Sequence, residues 1–477
     1  MTATLRGDVG FDFDEYRVGK YGPTTLPTSR FTSREFLELE NRKLWPYVWQ
    51  LVCREDEIPK VGDYLEYAIG DYTVLVIRSD ANTIKALSNT CLHRGRQLRE
   101  GRGNAKEIRC AAHSWRYNLD GSIKEAVDSE DFEPGLMEPA CLQLPEYKID
   151  TWAGWVFINL DPNAAPLMEF LDPVPRWLGF LTGMADWSTL RRRTTIMHCN
   201  WKTGIDAFRD IYHLPSVHSQ SQLFASDLPT TEEEAASYKL TLYPKGHGWL
   251  GPDLGEPGEA LAALIPRISP RLGAAADPRA DVEETLRGMM AMLVEIDDFF
   301  GMGNQDVVDA MAVELSKQYP IDGTDADRLA WWADLTRKQQ APRGLDLSSF
   351  TDTELLTTRW GTIFPNIWVA NCGVTGGDFF TFRPNGTDPD TCIFEEWFVG
   401  LAADSEAAKK HRMKPEFYAD FSDNEKNWGR FLLQDLGNTK YMQRGLHNPT
   451  QKFMRLGVKD DFIANGHVAI DKYLTSE

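Results

Sequence analysis

The sequence predicts an α+β protein of two domains: an N-terminal all-β unit, then a larger unit whose strands and helices run apart. Three observations carry this. The chain has 477 residues, more than one ordinary core holds. From Tyr47 to Ile158, short β-branched and aromatic runs recur at close intervals, as in a small antiparallel barrel or sandwich. Beyond a Pro-rich stretch over 162–175, strand patterns at Asn366–Ala370, Phe379–Arg383 and Cys392–Phe398 stand apart from a helical stretch over 270–345. The expected divisions are an arm over 1–45 packed on the larger unit, the β unit over 46–165, and the second domain over 166–477.

Composition excludes several classes. With 51 Lys and Arg against 71 Asp and Glu, the net charge of -20 favours solubility and argues against a nucleic-acid partner. No uninterrupted apolar run approaches the roughly 18 residues of a membrane span, so no membrane partner is expected. The first residues carry acids and lack the apolar core of a signal peptide. Seven cysteines, an odd number in a large chain, are not a disulfide framework. A reducing, cytoplasmic setting is expected, with Cys53, Cys141, Cys199, Cys372 and Cys392 as small buried hydrophobes.

In chain order, Thr32-Ser-Arg-Glu35 reads as a capping box ahead of Phe36, Leu37, Leu39 and Leu44. Asp63–Ile69 and Tyr72–Ile77 form a hairpin across Gly70-Asp71, and Thr83–Leu87 and Glu107–Cys110 add strands. Trp115–Leu119 and Ser122–Lys124 pair across Asp120-Gly121, and Trp155–Ile158 closes the unit. In the second domain Thr194–His198 is a candidate strand and Asn200 caps a helix starting at Trp201. Leu286, Met289, Met290 and Leu293 repeat at helical spacing, the mark of packing rather than of a cofactor site. Pro384-Asn385-Gly386 is a turn.

Two stretches carry chemistry. The first pairs Cys91-Leu-His93-Arg94-Gly95 with Cys110-Ala-Ala-His113. Four N/S donors suit tetrahedral zinc, but zinc fingers commonly place the two Cys together and then the two His. One Cys and one His per loop is the mixture a Rieske 2Fe–2S cluster requires, with two thiolates on one iron and two imidazoles on the other. The second is Asp210-Ile-Tyr-His213-Leu-Pro-Ser-Val-His218. Asp210 and His213 share a face if the helix continues that far, and Pro215 then ends it so that His218 can turn to the same metal. Two His and a carboxylate are the ligands of non-haem Fe(II) oxygenases, although two His at this spacing are more often a structural pair.

Cys91-x-His93-Arg94-Gly95 with Cys110-x-x-His113-x-Trp115 resembles the signature of Rieske aromatic-ring-hydroxylating oxygenases, in their α (oxygenase) subunit. The resemblance extends from Gly62 to Asp161 and on through the second domain. It implies a Rieske β domain followed by a helix-grip catalytic domain, an antiparallel sheet with helices. It assigns Cys91, His93, Cys110 and His113 to the cluster. His213 and His218 become ligands of a mononuclear Fe(II), and Asp210 the bridge that passes electrons from His113 of a neighbouring subunit to His213. The remaining carboxylate is Asp435, in a stretch resembling the family's C-terminal helix with Gln443-Arg444-Gly445-Leu446; Asp423 and Glu425 are the fallbacks. The spacing from His218 to Asp435 implies a helical insertion near 223–350.

The sequence departs from the family at Ala111-Ala112 and Ser114, where a Pro-Tyr pair and a Gly are common, and at Asp206–Arg209, where a polar pair is frequent and Phe208 becomes a pocket candidate. His198, His247, His411, His447 and His467 have no partner pattern and read as structural or surface residues.

The resemblance implies O2 as co-substrate, an apolar small-molecule substrate, and a homotrimer or α3β3 assembly. No dinucleotide fingerprint or plant-type cysteine run is present, so a separate ferredoxin or flavin reductase is expected. Arg94, Arg96, Arg99, Arg102, Lys106, Arg109 and Arg116 form a basic patch for it, opposed by Glu100 and Glu107. Two rivals stand beside hydroxylation: an O- or N-demethylase, and a zinc-stabilised protein that binds an apolar ligand. Trp368, Phe379 and Phe380 either line a pocket or pack the core.

Overall fold

In the computed structural model, which describes residues 22–178, 187–210, 212–217, 240–250, 305–341, 345–352, 358–372, 376–401, 415–421, 430–476 and a few isolated positions, the start of the described chain is tied to its far end. β1 (Thr25–Pro27) pairs antiparallel with residues Phe453–Arg455. A turn of helix, α1 (Ser29–Thr32), leads into α2 (Arg34–Lys43). The cap of α2 is Ser33 rather than Thr32: its hydroxyl accepts from the Phe36 amide at 3.1 Å, because Thr32 is spent in the preceding turn. Glu35 opens α2 and Arg42 and Lys43 close it, so the side-chain charges complement the helix dipole.

The β unit is built on a seven-stranded sheet. Its strands are β2 (Gln50–Arg54), β3 (Asp63–Ile69), β4 (Tyr72–Arg78), β5 (Ile84–Ser88), β6 (Arg102–Asn104), β10 (Glu146–Trp152) and β11 (Trp155–Asn159), in the order β2-β11-β10-β5-β4-β3-β6. Short strands β7 (Ile108–Arg109), β8 (Arg116–Tyr117) and β9 (Ile123–Glu125) form a second sheet. Gly70 turns the β3/β4 hairpin at φ 53°, a conformation that favours glycine. β4 shows why its sequence reads as one apolar run: Val74 and Val76 enter one core, while Leu75 and Ile77 enter another that holds Cys91, Cys110, Trp115 and Tyr117. Strands β2, β6 and β10 escaped the sequence reading, and Cys141, expected to be buried, is exposed.

Next come α3 (Leu167–Leu171), α4 (Val174–Leu178), β12 (Trp187–Met197), α5 (Trp201–Arg209), α6 (Leu214–Val217), β13 (Leu240–Leu242) and β14 (Gly248–Leu250). Helices α7 (Gln305–Gln318) and α8 (Asp325–Gln340) lie in the stretch expected to be helical. Leu286 there is buried with Val282, Ala312 and Tyr319, while Met289, Met290 and Leu293 fall outside the described residues. The chain continues through β15 (Thr358–Ile363), β16 (Ile367–Cys372), β17 (Gly376–Asn385), β18 (Asp388–Leu401), β19 (Glu416–Tyr418), α9 (Arg430–Leu446), β20 (Phe453–Arg455) and α10 (Asp461–Thr475).

Eight strands make the sheet of the second domain, ordered β13-β14-β15-β16-β17-β18-β12-β19 and antiparallel except for β12 with β19. One face carries Phe380, Phe382 and Phe394 beneath α5, with Phe208 4.9 Å from Phe380. A Cβ on Gly204 would stand 2.3 Å from the Phe382 ring, so only glycine lets α5 approach this closely. The other face carries Phe379 and Trp397 against Trp155 of the β unit, at 4.4 and 5.8 Å. Trp368, Phe379 and Phe380 therefore pack the core.

The two units are fastened at Glu57, whose side chain is 3% exposed. Its Oε1 accepts from Trp397 Nε1 at 2.8 Å, and its Oε2 pairs with Arg102 at 2.8 Å and Arg192 at 2.6 Å. Burying one carboxylate among these donors is favourable only because each of its oxygens is satisfied. No helix among the described residues is long and apolar enough to cross a membrane.

Candidate metal centres

The Cys/His loops share one design. In the loop after β5, Gly95 donates back to the Cys91 carbonyl at 2.9 Å with φ 74°. In the loop between β7 and β8, Ser114 donates to the Cys110 carbonyl at 3.1 Å with φ 62°. Each loop thus turns left-handed after its Cys/His pair. Ser114 adopts this conformation at a cost of roughly 1–2 kcal/mol. Its hydroxyl is steadied by Arg109 Nη2 at 2.9 Å, which accounts for a serine where a glycine fits most easily.

The four side chains divide by burial. Cys91 and Cys110 are 2% and 1% exposed, His93 is half-buried and His113 is exposed. The imidazoles of His93 and His113 lie 4.6 Å apart, and His93 stacks on Trp115 at 5.1 Å. Burial opposes ionisation of both thiols. At Cys110 the amides of Ala112 and His113 outweigh it and hold the thiol below its ordinary value, whereas at Cys91 burial prevails. Tyr117 Oη lies 3.6 Å from Cys91 Sγ. His93 Nδ1 is sealed from solvent with no hydrogen-bond partner in the structure, an arrangement that suits a metal bond in place of the missing one. Two shielded sulfurs and two outer imidazoles fit a cluster whose irons are ligated unequally.

At the second centre the helix is shorter than expected. α5, capped by Asn200 at 3.1 Å, stops at Arg209, and Asp210 is its C-cap. Asp210 Oδ1 accepts from the Tyr212 amide at 2.6 Å, a local turn that competes with helix continuation. Pro215 does not end the helix. It stands in the first turn of α6, where its missing N–H costs nothing. Asp210 and His213 therefore meet through a turn rather than a shared helix face, with Asp210 Oδ2 3.7 Å from His213 Nδ1.

On the other side of the ring, His213 Nε2 lies 3.3 Å from Asp435 Oδ1. Asp435 is 5% exposed on α9, beside buried Leu432 and Leu436, so it is not an acid on a wet helix face. Gln443 sets the register of α9 against α5: its Oε1 accepts from Asn200 N at 3.1 Å and Thr203 Oγ1 at 3.0 Å. Burial alone would depress the His213 pKa, but Asp210 and Asp435 raise it to about 10. Two carboxylates around one imidazole call for a positive charge, which a divalent metal supplies in place of a proton. His218, Asp423, Glu425 and His411 lie outside the described residues. Among the described residues no three His, Cys, Asp or Glu side chains gather as around one ion. A two-iron cluster asks for only two protein donors per iron.

These groups border a cavity of about 890 Å³ that also touches Asp206, Tyr212, Tyr441 and Asp460. Asp206 is held by His467 Nε2 at 3.1 Å, and His467 Nδ1 accepts from Arg30 Nε at 3.1 Å. His467 thus braces the cavity wall, a role the sequence reading missed; its signal was a histidine within the apolar pattern of α10. His247 is also buried, whereas His198 and His447 pair with Asp420 and Asp390 at the surface. Phe208 packs on Phe380 and is 7% exposed, so it belongs to the core. In the basic patch Arg102 serves Glu57 and Arg116 pairs with Glu107 and Glu125, while Arg94, Arg96, Lys106 and Arg109 remain exposed.

Residues 48–141 match the family model of the Rieske [2Fe-2S] domain, and residues 184–471 match that of the ring hydroxylating alpha subunit catalytic domain. The chain belongs to the ring-hydroxylating α-subunit family. The α subunit of 2-aminobenzenesulfonate 2,3-dioxygenase from Alcaligenes sp is 30% identical over 46% of this chain and 54% of its own length. The oxygenase subunit of carnitine monooxygenase from Escherichia coli K12 is 30% identical over 41% of this chain and 52% of its own. The chain thus spans about half the length of these relatives. The fold is that of naphthalene 1,2-dioxygenase from Rhodococcus sp., with a TM-score of 0.60, 18% identity and 95% of each chain covered. Membership in the ring-hydroxylating family brings a Rieske 2Fe–2S cluster and a mononuclear iron; the Cys/His loops suit the first, and the paired His213 and Asp435 suit the second.

Proposed function

We propose that this chain is the oxygenase component of a multicomponent Rieske oxygenase, hydroxylating an organic substrate with O2 and electrons derived from NAD(P)H. The observation that supports it best is His213 set between Asp210 at 3.7 Å and Asp435 at 3.3 Å, carboxylates from distant parts of the chain. Cys91, His93, Cys110 and His113 would hold the cluster, and His213, His218 and Asp435 the mononuclear iron. When bound, the cluster supplies single electrons and the mononuclear iron the place where O2 is reduced.

The chain's own residues orient and insulate. Asp435 and Asp210 fix the His213 ring from both sides, and Asp210 borders the cavity, where it would bridge His213 to the exposed His113 of a neighbouring copy in a trimer or α3β3 assembly. Buried Leu432 and Leu436 keep water from the Asp435 side. Exposed Arg94, Arg96 and Arg109 would receive an acidic ferredoxin or reductase, which supplies the electrons. Reversing Arg94 and Arg96 to Glu should slow reduction by that partner and flatten its salt dependence.

The test is a purified chain with about three irons and two labile sulfides, and O2 uptake by the reduced enzyme over arenes, aryl ethers, N-methyl compounds and terpenoids. Zinc in place of iron, without Rieske-like visible absorption, would overturn the reading. Demethylation is the second reading, supported by the likeness to a monooxygenase subunit, and formaldehyde release would identify it.

A further inference from the structure

A second cavity, of about 870 Å³, lies where the ends of α2 and α10 meet the turn between β13 and β14 and the segment leading from β11 into α3. Among the described residues, none assigned to either metal centre borders it. Four cations do: Arg42 and Lys43 from the last turn of α2, Lys245 from the β13/β14 turn, and Lys472 from the last turn of α10. Such a gathering is unexpected in a chain with a net charge of -20.

Elsewhere lysines find carboxylates: Lys85 pairs with Glu146, Lys124 with Glu107 and Lys202 with Glu40. At this cavity they turn to backbone carbonyls instead. Lys43 Nζ donates to Ser476 O at 2.8 Å, Lys472 Nζ to Pro244 O at 2.6 Å, and Lys245 Nζ to Glu169 O. Among the described residues none of the four cations stands within ion-pair distance of a carboxylate. An ammonium carries three donors, so each carbonyl bond steadies the head and leaves N–H groups for a ligand. Asp161 and Glu169 also border the cavity, and the carbonyl ends of α2 and α10 each carry about half a negative charge. Together these answer roughly three of the four positive charges, which leaves a site suited to a monoanion. The lining also holds aromatic rings: Phe170 and Tyr473 are half-buried, and Tyr47 is 50% exposed. An open aromatic ring beside unmatched ammonium groups is what a flat anion needs, ring against ring and carboxylate against N–H.

We propose that this cavity is a second small-molecule site, for an aromatic monocarboxylate whose ring lies against Tyr47 and whose carboxylate is taken by Lys245 and Lys472. It goes beyond the oxygenase reading and does not depend on it. A ligand held there would tie the β13/β14 turn to α10, the helix whose His467 braces Asp206.

The test is calorimetric titration of the full, metal-loaded chain with benzoate. Benzamide keeps the ring without the charge, and acetate keeps the charge without the ring. Benzoate should bind at a single site, about tenfold or more tighter than either, as expected for hydrogen bonds between charged groups. The double variant Lys245→Gln, Lys472→Gln retains N–H donors for the two carbonyls and drops the charges. It should bring benzoate to the level of benzamide, with iron content and O2 uptake unmoved. Tyr47→Ala should bring benzoate toward acetate. Asp435→Ala, which removes a candidate iron ligand, should bind benzoate as the parent does. Should the double variant fail to fold, Lys472→Gln alone decides, by a severalfold loss. Benzoate no tighter than benzamide, no binding at millimolar concentration, or a preference that survives the lysine variants would overturn the proposal. Loss of binding in Asp435→Ala would also overturn it, by placing benzoate at the iron.

Discussion

At Cys91–His113 the candidate donors come from two neighbouring loops, each closed by its own backbone bonds, whereas at His213 they come from α5's end and from α9, far apart in sequence. The first centre is local and its geometry is carried by a few turns. The second exists only when Gln443, His467 and Arg30 hold α5, α9, α10 and the N-terminal segment together. A locally built site should survive damage elsewhere, and a site built by packing should not.

Separate removal of the two centres is the sharpest way to break the comparison. Cys110→Ser should abolish the visible cluster absorption and labile sulfide yet leave mononuclear iron in place. Asp435→Ala should do the reverse, taking out one iron in about three and product formation with it. If the Asp435 variant also loses the cluster, the centres are not independent. Asp210→Ala comes next: both metals should stay bound while turnover falls by about two orders of magnitude or more, because the link between them is cut. Retained single-turnover product in that variant would count against the bridge.

Acid should act unequally on the two regions. Burial depresses His247 and His467, both in the packed region, to about 4 from an ordinary 6.5. Between those values the unfolded chain binds protons that the native chain refuses. Their contribution is therefore complete above pH 6.5 and is lost as pH falls toward 4, on the order of 3 kcal/mol for each. Circular dichroism between pH 7 and 4 should show the catalytic half melting before the cluster's visible signal fades; simultaneous loss would remove the distinction. The smallest effect is at the cluster itself. Tyr117→Phe deletes one hydrogen bond to Cys91 and should lower the reduction potential by about 20–60 mV.

The same contrast explains what the sequence revealed. The Cys/His pairs were legible because loop ligands must be close in sequence, whereas Asp435 was reached only through the resemblance to the family's C-terminal helix. The end of α5 was not, since the Asp210 side chain, rather than Pro215, turns the chain there. Ser33 and Thr32 compete for one cap, and only the preceding turn decides between them. Glu57 was invisible, and His467 showed only as a histidine in an apolar pattern, for a common reason. Each acquires its role from partners hundreds of residues away, and no local pattern records such pairings.

The Glu57 hub bears on how electrons travel. A domain fastened through Arg192 and Trp397 cannot swing like a tethered carrier head. With a cluster held by Cys91, His93, Cys110 and His113, the distance its electrons would cross would be set once, at folding and assembly. Inward transfer in the assembled enzyme should therefore be indifferent to solvent viscosity, while delivery by a diffusing reductase slows as the medium thickens.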